Sequence, residues 1–324
     1  MDRDCYRFLT KKLHNNHKLL LSALLLAGFT TLNAQLKDGL IAYWPLDEVQ
    51  GTKTPELVNG YDMQLTNLSA DDVVEGRIGN AFSFSNEKQT LLSRVHDADD
   101  QLPANKYDSF SISMWSNVDG NGQNDLRLFS EGNIGDSNPL FNIGTDSGGA
   151  SGSVDFYIRQ SGWPTVNHIK SSAEPYDGEW HHVVFVQEDG ERRLYVDGEL
   201  DDVTMAAKPD GVFKVNDTTI GGILRSSASH WVTGLIDDVA IWKRALSDDE
   251  AAQVHKEGLA SLFPTLGNGL IAHWPLDEVQ GTKTPELING YDMELTNMSA
   301  GNVVSGKIGN AFSFSNEEQT LLSR

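Results

Sequence analysis

Beyond residue 34 the chain predicts an all-β fold, an antiparallel sandwich of two sheets with one short helix near its C-terminal end. Three observations predict it. Short runs rich in β-branched and aromatic residues recur: FSISMW (Phe110 to Trp115), VDFYIR (Val154 to Arg159), HHVVFV (His181 to Val186) and RLYVDG (Arg193 to Gly198). Glycine-rich turn clusters such as DGNGQND (Asp119 to Asp125) and GTDSGGASGS (Gly144 to Ser153) separate them at intervals that suit a sandwich. QEDGERR places Asp189-Gly190 between two of the runs, the signature of a tight hairpin.

One helix is legible, in RALSDDEAAQVHKEG. Ser247 and Glu250 form a capping box, Asp248 and Asp249 sit at the positive end, and His255 and Lys256 at the negative end. Gly258 supplies the stop. The helix is too short to be a domain and is expected to cap the sandwich near its C-terminal end.

Residues 1–34 read differently. Arg3, Arg7, Lys11, Lys12 and Lys18 precede the apolar run LLLSALLLAGF (Leu19 to Phe29), and small residues close the segment around Ala34. That pattern predicts a secretory signal peptide, with an apolar run well short of the ~20 residues a membrane span needs. Removing it takes five basic and two acidic residues and moves the formal charge from −21 to −24. It also removes Cys5, the one cysteine, so no disulfide, thiol chemistry or cysteine metal site is expected in the remainder. The chain is expected to be secreted or held at the cell surface, without membrane insertion after cleavage. Its acidic balance, with no cluster of basic and aromatic residues, argues against a nucleic-acid partner.

Four stretches in fixed order carry a family resemblance: GLIAYWPLDE (Gly39 to Glu48), RIGNAFSFS (Arg77 to Ser85), DGEWHHVVFVQEDGERRLYVDGE (Asp177 to Glu199) and GLIDDVAIWKRALSDDE (Gly234 to Glu250). Together they resemble a laminin-G-like domain of the concanavalin A-like lectin/glucanase superfamily, over about 220 residues. The resemblance implies a jelly-roll sandwich whose concave face many relatives use for glycans. The cysteine pair of many relatives is absent, and TPELVNGYDMQL (Thr54 to Leu65) lacks the Asp-x-x-Gly turn expected there.

GLIAYWPLDEVQGTKTPEL, beginning at Gly39, returns at Gly269 with one letter changed. Residues 39–94 and 269–324 align without a gap and agree at all but nine of their positions, so the duplication is recent or homogenised. The expected organisation is a domain over residues 37–262, a linker in LASLFPTLGNG, and a truncated second copy over 266–324, as in a longer tandem array. The first domain is expected to be monomeric within that longer chain.

Catalysis is not expected. The resemblance implies that an enzyme of this superfamily would carry Glu-x-Asp-x-x-Glu on one strand; the nearest text, ELDDVT (Glu199 to Thr204), ends in threonine. Carboxylates can instead hold a metal. Period-two alternation puts Glu48 on the face of Leu40, Ala42, Trp44 and Leu46, and Asp237 on that of Leu235, Val239 and Ile241. Two inward carboxylates on strands that neighbour one another in relatives predict a structural Ca²⁺, with backbone amides or water at the strand ends as the alternative. SNVDGNGQND lacks an acidic twelfth position and reads as a hairpin turn, and alternation sends His181 and His182 to opposite faces.

Trp44, Trp115, Trp180 and Trp242 lie in apolar strand text and are expected in the core. Trp163 and Trp231 lie among Ser, Gly, Pro and His, and with Tyr176, His168, Arg159 and His230 they make a candidate sugar platform. The alternative is that both tryptophans pack beneath loops as lids. Two functional readings follow: a non-catalytic module that binds an extracellular glycan, or a structural spacer repeated in a surface adhesin.

Overall fold

The computed structural model describes residues 35–159, 166–203, 214–263, 272, 274–286, 290–306 and 310–324, and the side chains of all of these except 137–139, 166 and 167. The described part divides into two compact units that meet between Phe263 and Pro264.

Two antiparallel sheets make the first unit. One has the strand order β14 (Glu199–Leu200), β13 (Glu191–Val196), β12 (Asp177–Glu188), β7 (Phe110–Asp119), β18 (Gly234–Trp242), β5 (Asn80–Phe84), β4 (Val73–Glu75), with β1 (Leu40–Trp44) also paired to β18. The other runs β11 (Val166–Lys170), β10 (Val154–Arg159), β9 (Asp136–Thr145), β8 (Arg127–Asn133), β15 (Asp217–Ile220), β6 (Leu91–Val95), β3 (Met63–Thr66), β2 (Lys53–Thr54). A small hairpin, β16 (Ile223–Leu224) and β17 (Ala228–Ser229), follows β15. This is the expected jelly-roll type of sandwich. The β12–β13 hairpin turns on Asp189 (φ 47°) and Gly190 (φ 93°), the left-handed pair that a two-residue turn requires. SNVDGNGQND is not a hairpin turn: β7 pairs with β12 and β18 whereas β8 pairs with β9 and β15, so this loop crosses between the sheets.

Alternate side chains along β12 and β18 serve two different cores. Val183, Phe185, Val239 and Ile241 join Phe110, Phe141 and Phe156 between the sheets. Val184, Val186, Ala240 and Trp242 face the other way, onto Leu246, Ala251 and Val254 at and within helix α1 (Asp248–Glu257). HHVVFV is apolar without alternation because both its faces are covered. The helix forms with its predicted capping box and ends at Gly258 (φ 63°), but it lies on the outer face of the first sheet instead of closing one end. Of the tryptophans expected in the core, Trp44, Trp115 and Trp242 are buried and Trp180 is half-buried.

Glu56 orders the loop that lacks the Asp-x-x-Gly turn. Its buried carboxylate accepts from the amides of Tyr43, Val58, Asn59 and Tyr61. One side chain thereby fixes both the loop and the edge of β1.

In the second unit β19 (Lys283–Thr284), β20 (Met293–Thr296) and β23 (Leu321–Ser323) pair in one sheet, and β21 (Val303–Ser305) pairs with β22 (Asn310–Phe312). These registers repeat those of β2, β3, β6, β4 and β5 residue for residue. Local chemistry is copied; burial is not. Phe314 and Leu321 are 55% and 53% exposed, whereas their counterparts Phe84 and Leu91 are 2% and 1% exposed.

Candidate ligand-binding site

On β9 and β10, Phe141, Ile143, Phe156 and Ile158 fill the core, so alternation turns Leu140, Asn142, Tyr157 and Arg159 to the outer face of the second sheet. Asn142 is locked there: its Oδ1 accepts from the Ser130 hydroxyl and its Nδ2 donates to the Tyr157 carbonyl. Arg127, at the start of β8, is 2% exposed and pairs with the Asp125 carboxylate. Gly144, its register partner, makes room for it: a Cβ there would lie 2.8 Å from Arg127 Nη1 and 2.0 Å from the Leu126 carbonyl oxygen.

Two histidines flank Asp125, with His168 Nδ1 and His230 Nε2 each 3.7 Å from its carboxylate. His168 sits where the β10–β11 register shifts, the one-residue irregularity that re-aims a side chain. Its Nδ1 also lies 3.1 Å from the buried carboxylate of Asp155, and its ring stacks on Tyr157 at 4.8 Å. The Arg159 guanidinium stands 5.5 Å from the same tyrosine ring, and the β16–β17 hairpin adds Ile223 and Arg225. These side chains enclose a pocket of about 180 Å³.

Electrostatics and backbone both mark the place. Burial pushes His230 below its ordinary pKa and nearby Arg127 and Arg225 push it further, against the pull of Asp125. Arg225 is lowered by burial and then by the charges of Arg159 and Arg127, so three guanidinium groups feel one another. Asp125, His168 and His230 all hold left-handed backbone, at φ 58°, 55° and 58°. Such non-glycine conformations cost of order 1–3 kcal/mol each and concentrate at ligand clamps.

Of the residues expected in a sugar platform, Arg159, His168 and His230 line this pocket. Trp231 is adjacent and half-buried: its backbone bridges to Arg127, and the neighbouring His230 carbonyl accepts from the Arg127 amide. Tyr176 does not belong to it. Its side chain is fully buried in the core under the backbones of Gly120 and Gly152, so polar loop text around it marks packing over a core residue. Trp163 lies outside the described residues. Sequence reasoning missed Asp125, Arg127, Asn142, Tyr157 and Arg225; alternation in VDFYIR alone puts Tyr157 beside Arg159 on the outer face.

The inward pairing of Glu48 with Asp237 is not found. β1 ends at Trp44 and Leu46 takes φ 59°, which breaks the alternation and leaves Glu48 exposed, accepting from Gln50. Asp237 is buried beside Asp238 because β18 exchanges partners there, from β5 at Gly234–Ile236 to β1 at Val239–Trp242, and Asp238 turns left-handed at φ 50°. Asp237 Oδ2 accepts from the amides of Arg77 and Ile78, and Asp238 Oδ1 from the Tyr43 hydroxyl. Among the described residues no group of three or more His, Cys, Asp or Glu side chains is placed to hold a metal ion.

Residues 94–252, which contain the motifs at Asp177–Glu199 and Gly234–Glu250, match the laminin-G-like model of the Concanavalin A-like lectin/glucanases superfamily, so the resemblance stands over that stretch. Among curated proteins the chain is similar to Adhesion G-protein coupled receptor D1 of Homo sapiens, 26% identical over 224 residues, 65% of this chain and 22% of the receptor. Among solved structures it is similar to the binding domain of Botulinum neurotoxin serotype D, with TM-score 0.51 at 16% identity, covering 69% of this chain and 52% of that one. The binding domain of Paraclostridial Mosquitocidal Protein 1 gives TM-score 0.50 at 18% identity, covering 68% and 52%. At these identities the structural likeness is one of fold. The chain spans about a fifth of the receptor and about half of each toxin chain.

Proposed function

We propose that the first unit is a non-catalytic, glycan-binding module of a secreted or cell-surface protein. The pocket carries this reading: polar and aromatic side chains from four strands and a hairpin converge on the outer face of a lectin-type sheet, held by left-handed backbone at three of the lining residues. Small ligand sites are built this way, from an apolar or aromatic wall and a few fixed polar groups. The two neighbouring toxin chains are themselves binding domains. The test is retention of the protein on immobilised polysaccharides, with loss on Tyr157→Ala at unchanged melting temperature. Wild-type protein that elutes with the void from every glycan tried overturns the reading.

A second reading, a repeated spacer in a surface adhesin, is favoured by the near-verbatim return of residues 39–94 at 269–324. It predicts adhesion that requires linked copies and is indifferent to Tyr157. Calcium enters either reading only through Asp237 with Asp238, because Glu48 does not reach them.

A further inference from the structure

Among the described residues, Arg127, Arg159 and Arg225 bring three positive charges to a pocket whose lining contains a single carboxylate, Asp125. They do so in a chain whose formal charge is −21. Asp125 is already committed to Arg127. Arg127 is 2% exposed and its Nε is buried without a partner, while half-buried Arg225 makes no side-chain ion pair among the described residues. Asp155, the other nearby acid among the described residues, lies behind His168 and also accepts from the Ser147 amide.

Like charges are gathered in a partly desolvated site only against a cost, which a counter-charge removes. Guanidinium groups meet carboxylates and sulfates with paired, planar hydrogen bonds that an ammonium or a neutral donor cannot reproduce. At about 180 Å³ the pocket is smaller than the ~300 Å³ of a pocket for a drug-sized ligand, which fits one terminal sugar unit or its charged substituent. Tyr157, with His168 stacked on one side and Arg159 near its ring, offers an aromatic face to the sugar ring.

We propose that the pocket takes the anionic group of an acidic saccharide, a carboxylate or a sulfate ester, between Arg127, Arg159 and Arg225; this rests on the glycan-binding reading. The chain's overall negative charge does not prevent it, since charges beyond about 8 Å are screened at physiological salt.

The experiment is calorimetric titration of the full chain at about 0.15 M salt, with an oligogalacturonate, a sulfated galactan oligosaccharide, a neutral galactan of equal length, free glucuronate and inorganic sulfate. An acidic oligosaccharide is expected to bind at least ~10-fold tighter than the neutral one, with that margin lost in Arg225→Gln and in Arg159→Gln. The ranking of the uronate and sulfated arms then names the anion. Neutral and acidic oligosaccharides binding alike would overturn the inference and leave the glycan reading intact. Glucuronate or sulfate binding that depends on Arg225, with no oligosaccharide bound, would reveal an anion site that no glycan fills and overturn both the inference and the glycan reading. No binding by any anion, or binding indifferent to both substitutions, would overturn it.

Discussion

The Tyr43 hydroxyl donates to Asp238 Oδ1 and ties the first strand of the sandwich to the last, 195 residues away in sequence. The bond sits where β18 leaves β5 for β1, and the neighbouring Asp237 carboxylate holds the amides of Arg77 and Ile78 on the other side. Three segments of chain therefore converge on two adjacent acids. In the second copy the tyrosine's position is His273.

Those acids predict a pH dependence. Burial raises Asp237 and Asp238, the Asp238 charge raises Asp237 further, and Asp47 raises both. Asp217 is pushed up to about 8 by burial and then by Glu131. An acid whose folded pKa lies above its unfolded value near 4 holds a proton that the unfolded chain releases, so stability falls as pH rises from about 4 towards 8. His96 and His182, pushed down to about 3 mainly by burial, act oppositely. The unfolded chain takes their protons below about 6.5, so stability also falls as pH drops from there. Melting temperature should peak between these limbs. Asp237→Asn should shrink the loss on the alkaline limb and melt higher than wild type at about pH 8. A calcium ion held by Asp237 and Asp238 gives the opposite signs: chelator lowers the wild-type melting temperature and Asp237→Asn melts lower.

Removing residues 265–324 should leave the first unit folded. Both its hydrophobic clusters are built from residues up to Phe263, and Phe263 itself packs on Tyr43 at 5.2 Å between ring centroids. Truncation after Pro264 is expected to shift melting by less than about 4 °C, which is ~1 kcal/mol for a domain of this size. A larger fall means that the half-copy contributes to the stability of the first unit.

Glu56→Ala should be among the most destabilising single changes outside the apolar core. It strips four backbone amides of their acceptor, and hydrogen bonds to a charged group contribute ~1.5–3 kcal/mol each, so a loss of about 3 kcal/mol or more is expected. Chemical denaturation measures it. A loss below about 1 kcal/mol would show that water replaces the carboxylate.

The strands, the Asp189-Gly190 hairpin and the capping box of α1 were legible because each rests on local chemistry: propensity, turn geometry and a side chain reaching its own backbone. Position was not. The helix lies against Val184, Val186 and Trp242 instead of an end of the sandwich, a pairing set by residues about 60 positions apart. Glu48 was assigned inward by extending β1 past its end; one left-handed residue, Leu46, undoes the alternation. At the pocket, His168 and His230 were found because they stand out in loop-like text, and Arg159 because it closes a strand run. Arg127 and Asn142 were missed because nothing in their own stretches marks them as neighbours, and only the pairing of β8 with β9 turns them to one face. Tyr176 was misplaced for the converse reason, a core side chain surrounded by turn residues.

The purified chain should release no reducing ends from β-glucans, xylans, agars or sulfated galactans. Glycosidic cleavage ordinarily needs two carboxyl groups facing one another across the bond, about 5 to 10 Å apart. Asp237 and Asp238 are buried, bound to backbone amides and to Tyr43, so no sugar reaches them. Asp201 accepts from the amides of Ser172, Ala173 and Val203, which is a loop-fixing role, and Asp202 next to it is exposed. At the pocket, Asp125 is paired with Arg127 and Asp155 is buried behind His168, so among the described residues no opposed pair has access to a bound saccharide. Sustained release of reducing ends that disappears in Asp125→Asn or Asp238→Asn would make the chain an enzyme. A flat time course, in the same preparation that is retained on an acidic polysaccharide, fits a module that holds its ligand without cutting it.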